Sequence, residues 1–396
     1  MHDERNISMI VIKNADVYNP ERTGIRDVLI AGERIVAIED SIDASVLPGT
    51  VEVIDAMRRP LVPGFIDGHV HVTGGGGEGG FRTRTPELQL CTATKAGVTT
   101  VIGVLGTDGV ARSLEGLVAK TYGLREEGIS AWCYTGAYRV PVPTVTGDIM
   151  RDIMMIEACI GVGEVAVSDH RSTKPSDAEL ARIASEARVA GMLSGKAGVV
   201  NVHLGDAPEG LEPLERICSR GDLPRTQFVP THCERNEALT ARAFAWARDG
   251  GTIDFTASPT PPFLETVETS AAECLSMLEG ERVPLGNVTV TSDGQGSLPA
   301  FDASGAIKGL DVGSSASLVD MLREATGKFG MPFEKILPMI TSNPARILKL
   351  PRKGSVKVGM DADLVILDSE LRPATVLARG RVMVRDGIPE VKGTFI

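Results

Sequence analysis

Val62-Pro63-Gly64-Phe65-Ile66-Asp67-Gly68-His69-Val70-His71 is an apolar run that ends on two histidines one valine apart. Successive side chains of a strand alternate between its faces, so the run presents two imidazoles side by side at its carboxyl end. Imidazole is the commonest protein ligand for zinc, and a catalytic site needs only one or two further groups to complete such a pair. A strand leaving the core would also carry adjacent polar residues. What weighs against that reading is the supply of partners elsewhere in the chain.

On the amino-terminal side, residues 9–62 read as short alternating bursts such as Met9-Ile10-Val11-Ile12 and Arg34-Ile35-Val36-Ala37-Ile38, parted by Asn-Pro, Ala-Gly-Glu and Leu-Pro-Gly turn signals. This predicts a small antiparallel β unit. From Phe65 to about Ala345, β-rich runs alternate with amphipathic stretches such as Asp177 to Ala190 and Ala238 to Ala247. The runs include Thr99 to Val104, Glu164 to Val167, Val199 to Val202, Gln227 to Thr231, Thr252 to Phe255 and Val288 to Thr291. Repeated β-then-α units predict an α/β fold, a TIM-like (β/α)8 barrel, although an open doubly wound sheet shares the local signal. Candidate ligands end several different strands, and barrels build sites from strand ends around one rim. After Pro351 the pattern returns to β in Asp363 to Leu367, Ala374 to Leu377 and Val382 to Val384. The expected organisation is a barrel over 63–345 beside a small β-sandwich domain formed from both termini, 1–62 and 346–396.

Composition agrees with such a core. The chain has 396 residues, 42% hydrophobic but only 4% aromatic, with 44 glycines; interiors built on Val, Ile, Leu and Ala suit buried parallel sheets. Asp plus Glu outnumber Lys plus Arg by 52 to 41, a net charge of −11 that repels phosphate backbones and excludes nucleic acid as the expected partner. The six scattered cysteines read as reduced thiols of a cytoplasmic protein. Neither a secretion signal nor an apolar run of membrane-spanning length is visible, so no membrane association is expected.

Beyond His69 and His71, the strand-end candidates are Glu164, His203, His232 and Asp293. One histidine so placed means little, but four of the six histidines close β-rich runs. Four imidazoles and two carboxylates suffice for two divalent ions sharing a bridge, with positions left for water. Zinc suits the nitrogen and oxygen ligands best; manganese, cobalt and iron stay open.

This order of ligands, on a barrel between split β segments, resembles the amidohydrolase superfamily of metal hydrolases. The closing segments Thr341-Ser342-Asn343-Pro344-Ala345 and Gly354 to Val365 are similar too. Within the superfamily the strings Gly74 to Glu78, Gly106-Thr107-Asp108, Thr135 to Tyr138, Ser168 to Ser172, His203 to Asp206, Thr231-His232 with Arg235, and Ser292 to Ser297 resemble the isoaspartyl (β-aspartyl) dipeptidase family. In that family the bridging ligand is usually a carboxylated lysine. The matching position here is Glu164, with no lysine within nine residues on either side. Glutamate offers the same two oxygens closer to its own backbone, so strand or metals must shift inward. The alternative is a hydrogen-bonded core Glu164 with one metal or none.

The resemblance implies hydrolysis of the isopeptide amide of β-aspartyl dipeptides by a metal-bridging hydroxide, with two divalent ions as cofactors. Asp293 serves as ligand, base and then acid, and Tyr138 steadies the oxyanion. Such a small dipeptide substrate carries one ammonium and two carboxylates. Glu78, in its glycine-rich loop, is the candidate for the ammonium; Arg171 and Arg235 are candidates for the carboxylates, and Thr107 and Ser297 for hydroxyl contacts. The loop is expected to be mobile and to bring Glu78 over the substrate. A hydrolase of cyclic imides or N-acyl amino acids, and a non-catalytic scaffold, are the rival readings. Family likeness also implies a homo-oligomer.

Overall fold

The computed structural model describes residues 9–258, 269–301 and 307–396. Eight parallel strands carry the central region: β1 (Phe65–Val70), β2 (Val98–Gly103), β3 (Ser130–Thr135), β4 (Cys159–Val167), β5 (Val199–Leu204), β6 (Phe228–Thr231), β7 (Ile253–Thr256) and β8 (Val288–Thr291). The first six pair in chain order as one sheet, and β7 pairs with β8. At the junctions, Cys233 N–H donates to the Asp254 carbonyl at 3.2 Å and His71 N–H to the Gly294 carbonyl at 2.9 Å. Val70 also forms a parallel bridge to Gly294.

Helices follow the strands for local reasons. Asp177–Ser194 starts on Ser176, whose side chain forms a capping box with Glu179, and it buries Leu180, Ile183, Ala184, Ala187 and Ala190 at helical spacing. It ends at Gly195 in the left-handed conformation, one turn beyond the stretch expected from sequence. Outward residues such as Val101, Val165, Val167 and Val202 pack with helical Leu117, Leu124, Ile183 and Phe244 in one large core. Ile66, Ile160, Val199 and Val229, each among the first two residues of its strand, pack with Leu348 and Leu350 in another. Apolar side chains thus stop the amino ends of the strands, and the polar residues gather at the carboxyl ends.

Two strands carry an extra residue where they pass the candidate ligands. On β4 the step from Val162 to Val165 is matched by only Val200 to Val202 on β5. On β1 the step from Asp67 to Val70 is matched by Val101 to Gly103 on β2. Such bulges bend a strand and re-aim a side chain.

Strands from both termini form one nine-stranded mixed sheet. Pro60–Pro63 pairs antiparallel with Leu364–Leu367, which joins the two ends of the chain. The expectation of a purely antiparallel unit in residues 9–62 is corrected: Met9–Tyr18 pairs antiparallel with Arg22–Ala31 but parallel with Val51–Asp55 and Pro60–Pro63. Alternation reports which face is buried; it carries no information on strand direction, which the crossover through Ala44–Val46 sets. Ile10, Ile12, Val28, Ile30, Ile54, Leu364 and Ile366 form its core. A hairpin, Ser297–Phe301 with Ile307–Val312, follows β8. No helix among the described residues is long and apolar enough to cross a membrane.

Candidate metal centre and pocket

All six residues read as ligands converge, five at or just beyond the carboxyl ends of their strands and Glu164 three residues inside the end of β4, and all are buried. The His69 and His71 rings lie 5.5 Å apart between centroids. His69 Nε2 is 3.4 Å from Glu164 Oε2 and 3.6 Å from Asp293 Oδ1. His71 Nε2 is 3.4 Å from Glu164 Oε1 and 3.1 Å from Asp293 Oδ1. Glu164 Oε2 also faces His203 Nδ1 at 3.2 Å and His232 Nε2 at 3.9 Å. Its carboxylate therefore bridges the histidine pairs, beside the bulge in β4.

Two groups of ligand atoms lie close enough to share an ion: His69, Glu164 and His232, and His69, His71 and Asp293. His203, read as an equal ligand, belongs to neither group. Besides facing Glu164, its ring is held by Tyr138, whose hydroxyl is 2.8 Å from Nδ1, and by Asp169, whose Oδ2 is 2.9 Å from Nε2.

The donor set fits divalent cations. His69 Nε2, both Glu164 oxygens and Asp293 Oδ1 are buried without a hydrogen-bond partner among the described residues, an arrangement that is costly unless a charge compensates it. Burial disfavours the His69 imidazolium, but Glu164 and Asp293 outweigh it and push the ring's pKa up to about 9. A cation there would displace that proton. Burial pushes His232 down to about 3, so that ring is neutral. The far ring nitrogens are held as metal-binding histidines usually are: His69 Nδ1 lies 3.1 Å from Asn201 Oδ1 and His232 Nδ1 2.6 Å from Thr256 Oγ1. Burial opposes ionisation of Glu164 and Asp293, yet the facing histidines hold both below the usual carboxylate range.

A pocket open to solvent begins at His71, His232 and Asp293 and is lined further by Glu78, Thr107, Tyr138, Arg171, Arg235 and Ser297. All the expected substrate-reading residues thus share one cavity. Glu78 Oε1 accepts from the Thr107 hydroxyl at 2.9 Å and lies 3.5 Å from Arg171 Nη1, while Oε2 is buried with no hydrogen-bond partner among the described residues. Arg171 is already engaged, its Nε and Nη2 donating to Asp169 at 3.0 and 2.8 Å. Arg235 Nη1 is 3.7 Å from Asp206. Burial and nearby Glu164 keep the Tyr138 phenol protonated far above its ordinary range.

The expected movement of the glycine-rich loop is not needed to bring Glu78 into the pocket. Gly75 N–H donates to Thr85 Oγ1 at 2.6 Å, Thr85 Oγ1 donates to the Gln295 carbonyl at 2.6 Å, and Arg112 Nη2 donates to the Thr85 carbonyl at 2.8 Å. Gly74, with φ +77°, takes a backbone conformation that side-chain-bearing residues rarely adopt, and a Cβ there would fall 2.3 Å from the Thr85 carbonyl.

Sequence reading missed Asp169, Asn201 and Thr256. Asn201 sits two residues before His203 on β5, so the same period of two would have found it. Thr256 ends β7 as the histidines end their strands. Asp169 gives no such signal: alternation puts it opposite Glu164, but Ser168 has φ +53° and turns the chain so that the carboxylate reaches His203.

Parallel strands, buried histidines at their carboxyl ends and a bridging acid define a metal-dependent hydrolase scaffold, and the chain belongs to the amidohydrolase family, whose model matches residues 61–394. Within that family it is similar to a β-aspartyl dipeptidase of Fervidobacterium islandicum AW-1, solved in complex with β-Asp-Leu dipeptide: 43% identity, 99% of this chain and 100% of that one, TM-score 0.92. It is more distantly similar to a dihydroorotase of Halobacterium salinarum, 24% identical over 87% of this chain and 84% of that protein. A dihydropyrimidinase of Brevibacillus agri shares the fold at 19% identity and TM-score 0.66, over 98% and 99% of the two chains.

Proposed function

We propose that this protein hydrolyses the isopeptide amide bond of β-aspartyl dipeptides with the help of two divalent metal ions, zinc by preference. The observation that carries the reading is the shared pocket: buried ligand atoms without partners lie at one end, and Glu78, Arg171 and Arg235 line its wall. Likeness to a dipeptidase that binds β-Asp-Leu supports the same substrate class. A cyclic imide carries no ammonium for the unpartnered Glu78 oxygen to bind, which disfavours that alternative despite the dihydroorotase likeness.

In this reading His69, His71, Glu164, His203, His232 and Asp293 hold the metals, which when bound supply Lewis-acid activation of the carbonyl and of the attacking water. Asp293, ionised beside His71, takes the proton from that water and delivers it to the leaving amine. The Tyr138 hydroxyl donates to the carbonyl oxygen as it gains charge. Glu78 holds the substrate ammonium, Arg171 and Arg235 its carboxylates, and Thr107 and Ser297 add hydroxyl contacts. Fold and assembly enter the same proposal: the strand sets close as an eight-stranded barrel over 63–345, the segments 1–62 and 346–396 form the sandwich beside it, and the chain self-associates.

The deciding experiment combines elemental analysis with turnover of β-Asp-Leu, a hydantoin and an N-acyl amino acid. Two metals per chain and preference for β-Asp-Leu are expected; preference for either other substrate overturns the assignment. Glu164→Gln should lower metal affinity about 10- to 100-fold or more, read by equilibrium dialysis.

A further inference from the structure

We propose that Asp169 is a positioning residue which sets His203 and Arg171 as one unit, so that a single carboxylate fixes both the metal-facing and the substrate-facing walls of the pocket. The inference rests on the dipeptidase reading above for its kinetic consequence, though not for its geometry. Asp169 is buried and does not itself line the pocket. Its Oδ2 accepts from His203 Nε2 at 2.9 Å and from Arg171 Nη2 at 2.8 Å. Its Oδ1 accepts from Arg171 Nε at 3.0 Å and from the Arg171 backbone N–H at 2.6 Å.

Each of these bonds decides which atom points inward. Nε2 of His203, which also lies 3.2 Å from Arg171 Nη2, is turned to Asp169, and Nδ1 is the atom 3.2 Å from Glu164 and 2.8 Å from the Tyr138 hydroxyl. With Nε and Nη2 of Arg171 held, Nη1 is left facing Glu78 at 3.5 Å, and the guanidinium lies over the Tyr138 ring, 5.4 Å from its centroid. A reading group and a metal-facing group are thereby locked to each other through two oxygens 2.8 to 3.0 Å from their partners.

The backbone is shaped for this arrangement independently of the hydrogen bonds. Ser168 takes φ +53°, an uncommon conformation for a residue other than glycine. Gly205, just beyond β5, makes room for the turn: a Cβ there would fall 2.4 Å from Asp169 Cα, from Asp169 Cβ and from the Ser168 carbonyl. Only glycine lets the Asp169 turn lie against the end of the strand that bears His203.

Two measurements test the proposal. In metal-free wild-type protein labelled with ¹⁵N-histidine, the His203 ring is expected to carry a proton on Nε2; a ring protonated on Nδ1 alone overturns it. In Asp169→Asn one oxygen becomes an N–H donor, so His203 or Arg171 loses its acceptor. The expected result is a split effect on β-Asp-Leu hydrolysis, kcat falling and KM rising, each by about 10- to 100-fold. Values of both within about twofold of wild type overturn the proposal. The tautomer needs no substrate and no variant. Should β-Asp-Leu not be turned over at all, the dipeptidase reading falls while the ring measurement still decides for or against Asp169.

Discussion

The terminal sheet and the metal centre both bury carboxylates, and they treat them in opposite ways. In the sheet every buried acid meets a fixed cation. Asp27 takes Lys13 together with the backbone N–H groups of Asn14 and Ile42, each at 2.8 Å. Asp361 and Asp363 share the buried Lys353, and Asp361 also meets Arg34 and Arg352. In the centre no lysine or arginine forms an ion pair with Glu164 or Asp293 among the described residues, and their oxygens face only imidazoles. A buried charge is tolerable when it is paired, and the two regions differ in where the pairing charge comes from. In the sheet the chain carries its own counter-charge. At the centre the counter-charge is a proton on His69 that a bound cation would displace, and the unpartnered atoms cluster there.

Substitutions can break this contrast at either end. The largest effect is expected at Asp293, where Asp293→Asn removes the base but keeps the shape. Turnover of β-Asp-Leu should fall by about 10²- to 10⁴-fold, while elemental analysis still finds substantial metal. Activity near that of wild type would remove Asp293 from the chemistry.

A smaller and more selective effect is expected at the substrate end of the pocket. Arg235→Gln should raise KM for β-Asp-Leu by about 10- to 100-fold, equivalent to the 1.5–3 kcal/mol of a charged hydrogen bond. Metal content should not change. An equal loss toward an uncharged amide substrate would mean that the arginine does not read a carboxylate.

The smallest effect belongs to the sheet and sharpens the comparison through pH. Burial pushes the Asp27 carboxyl up, but Lys13 and the two backbone donors outweigh it and hold it below its ordinary range. A carboxylate with a depressed folded pKa adds stability above its unfolded value and loses it as pH falls through the folded value. Asp27→Asn should therefore cost about 2 kcal/mol at neutral pH, with the difference from wild type fading below about pH 4. Denaturant titration at several pH values reads this out, and a deficit independent of pH would remove the ion pair as its cause. Turnover per folded chain should stay as in wild type.

Much of this organisation was legible before the structure. The alternation of β and α runs, the return to β after Pro351, and the histidine and Asp293 candidates at run ends rest on local periodicity, whereas Glu164 begins its run and is singled out by the family resemblance; the structure brings all six together. The parallel partners of Met9–Tyr18 were not legible, because strand direction depends on where the chain crosses over. Nor was the part played by Asp169, because a single residue at φ +53° breaks the alternation on which the reading relied.

What the sequence determined by itself is therefore the supply of chemistry: which side chains end which runs, and that an unmodified glutamate stands where the family usually has a carboxylated lysine. Only the tertiary structure decided how that glutamate reaches its partners. An extra residue in β4 lies beside Glu164 and another in β1 beside His69, where the paired registers of these strands are interrupted. Register between strands distant in the chain is a property of their packing, and no local pattern of residues encodes it.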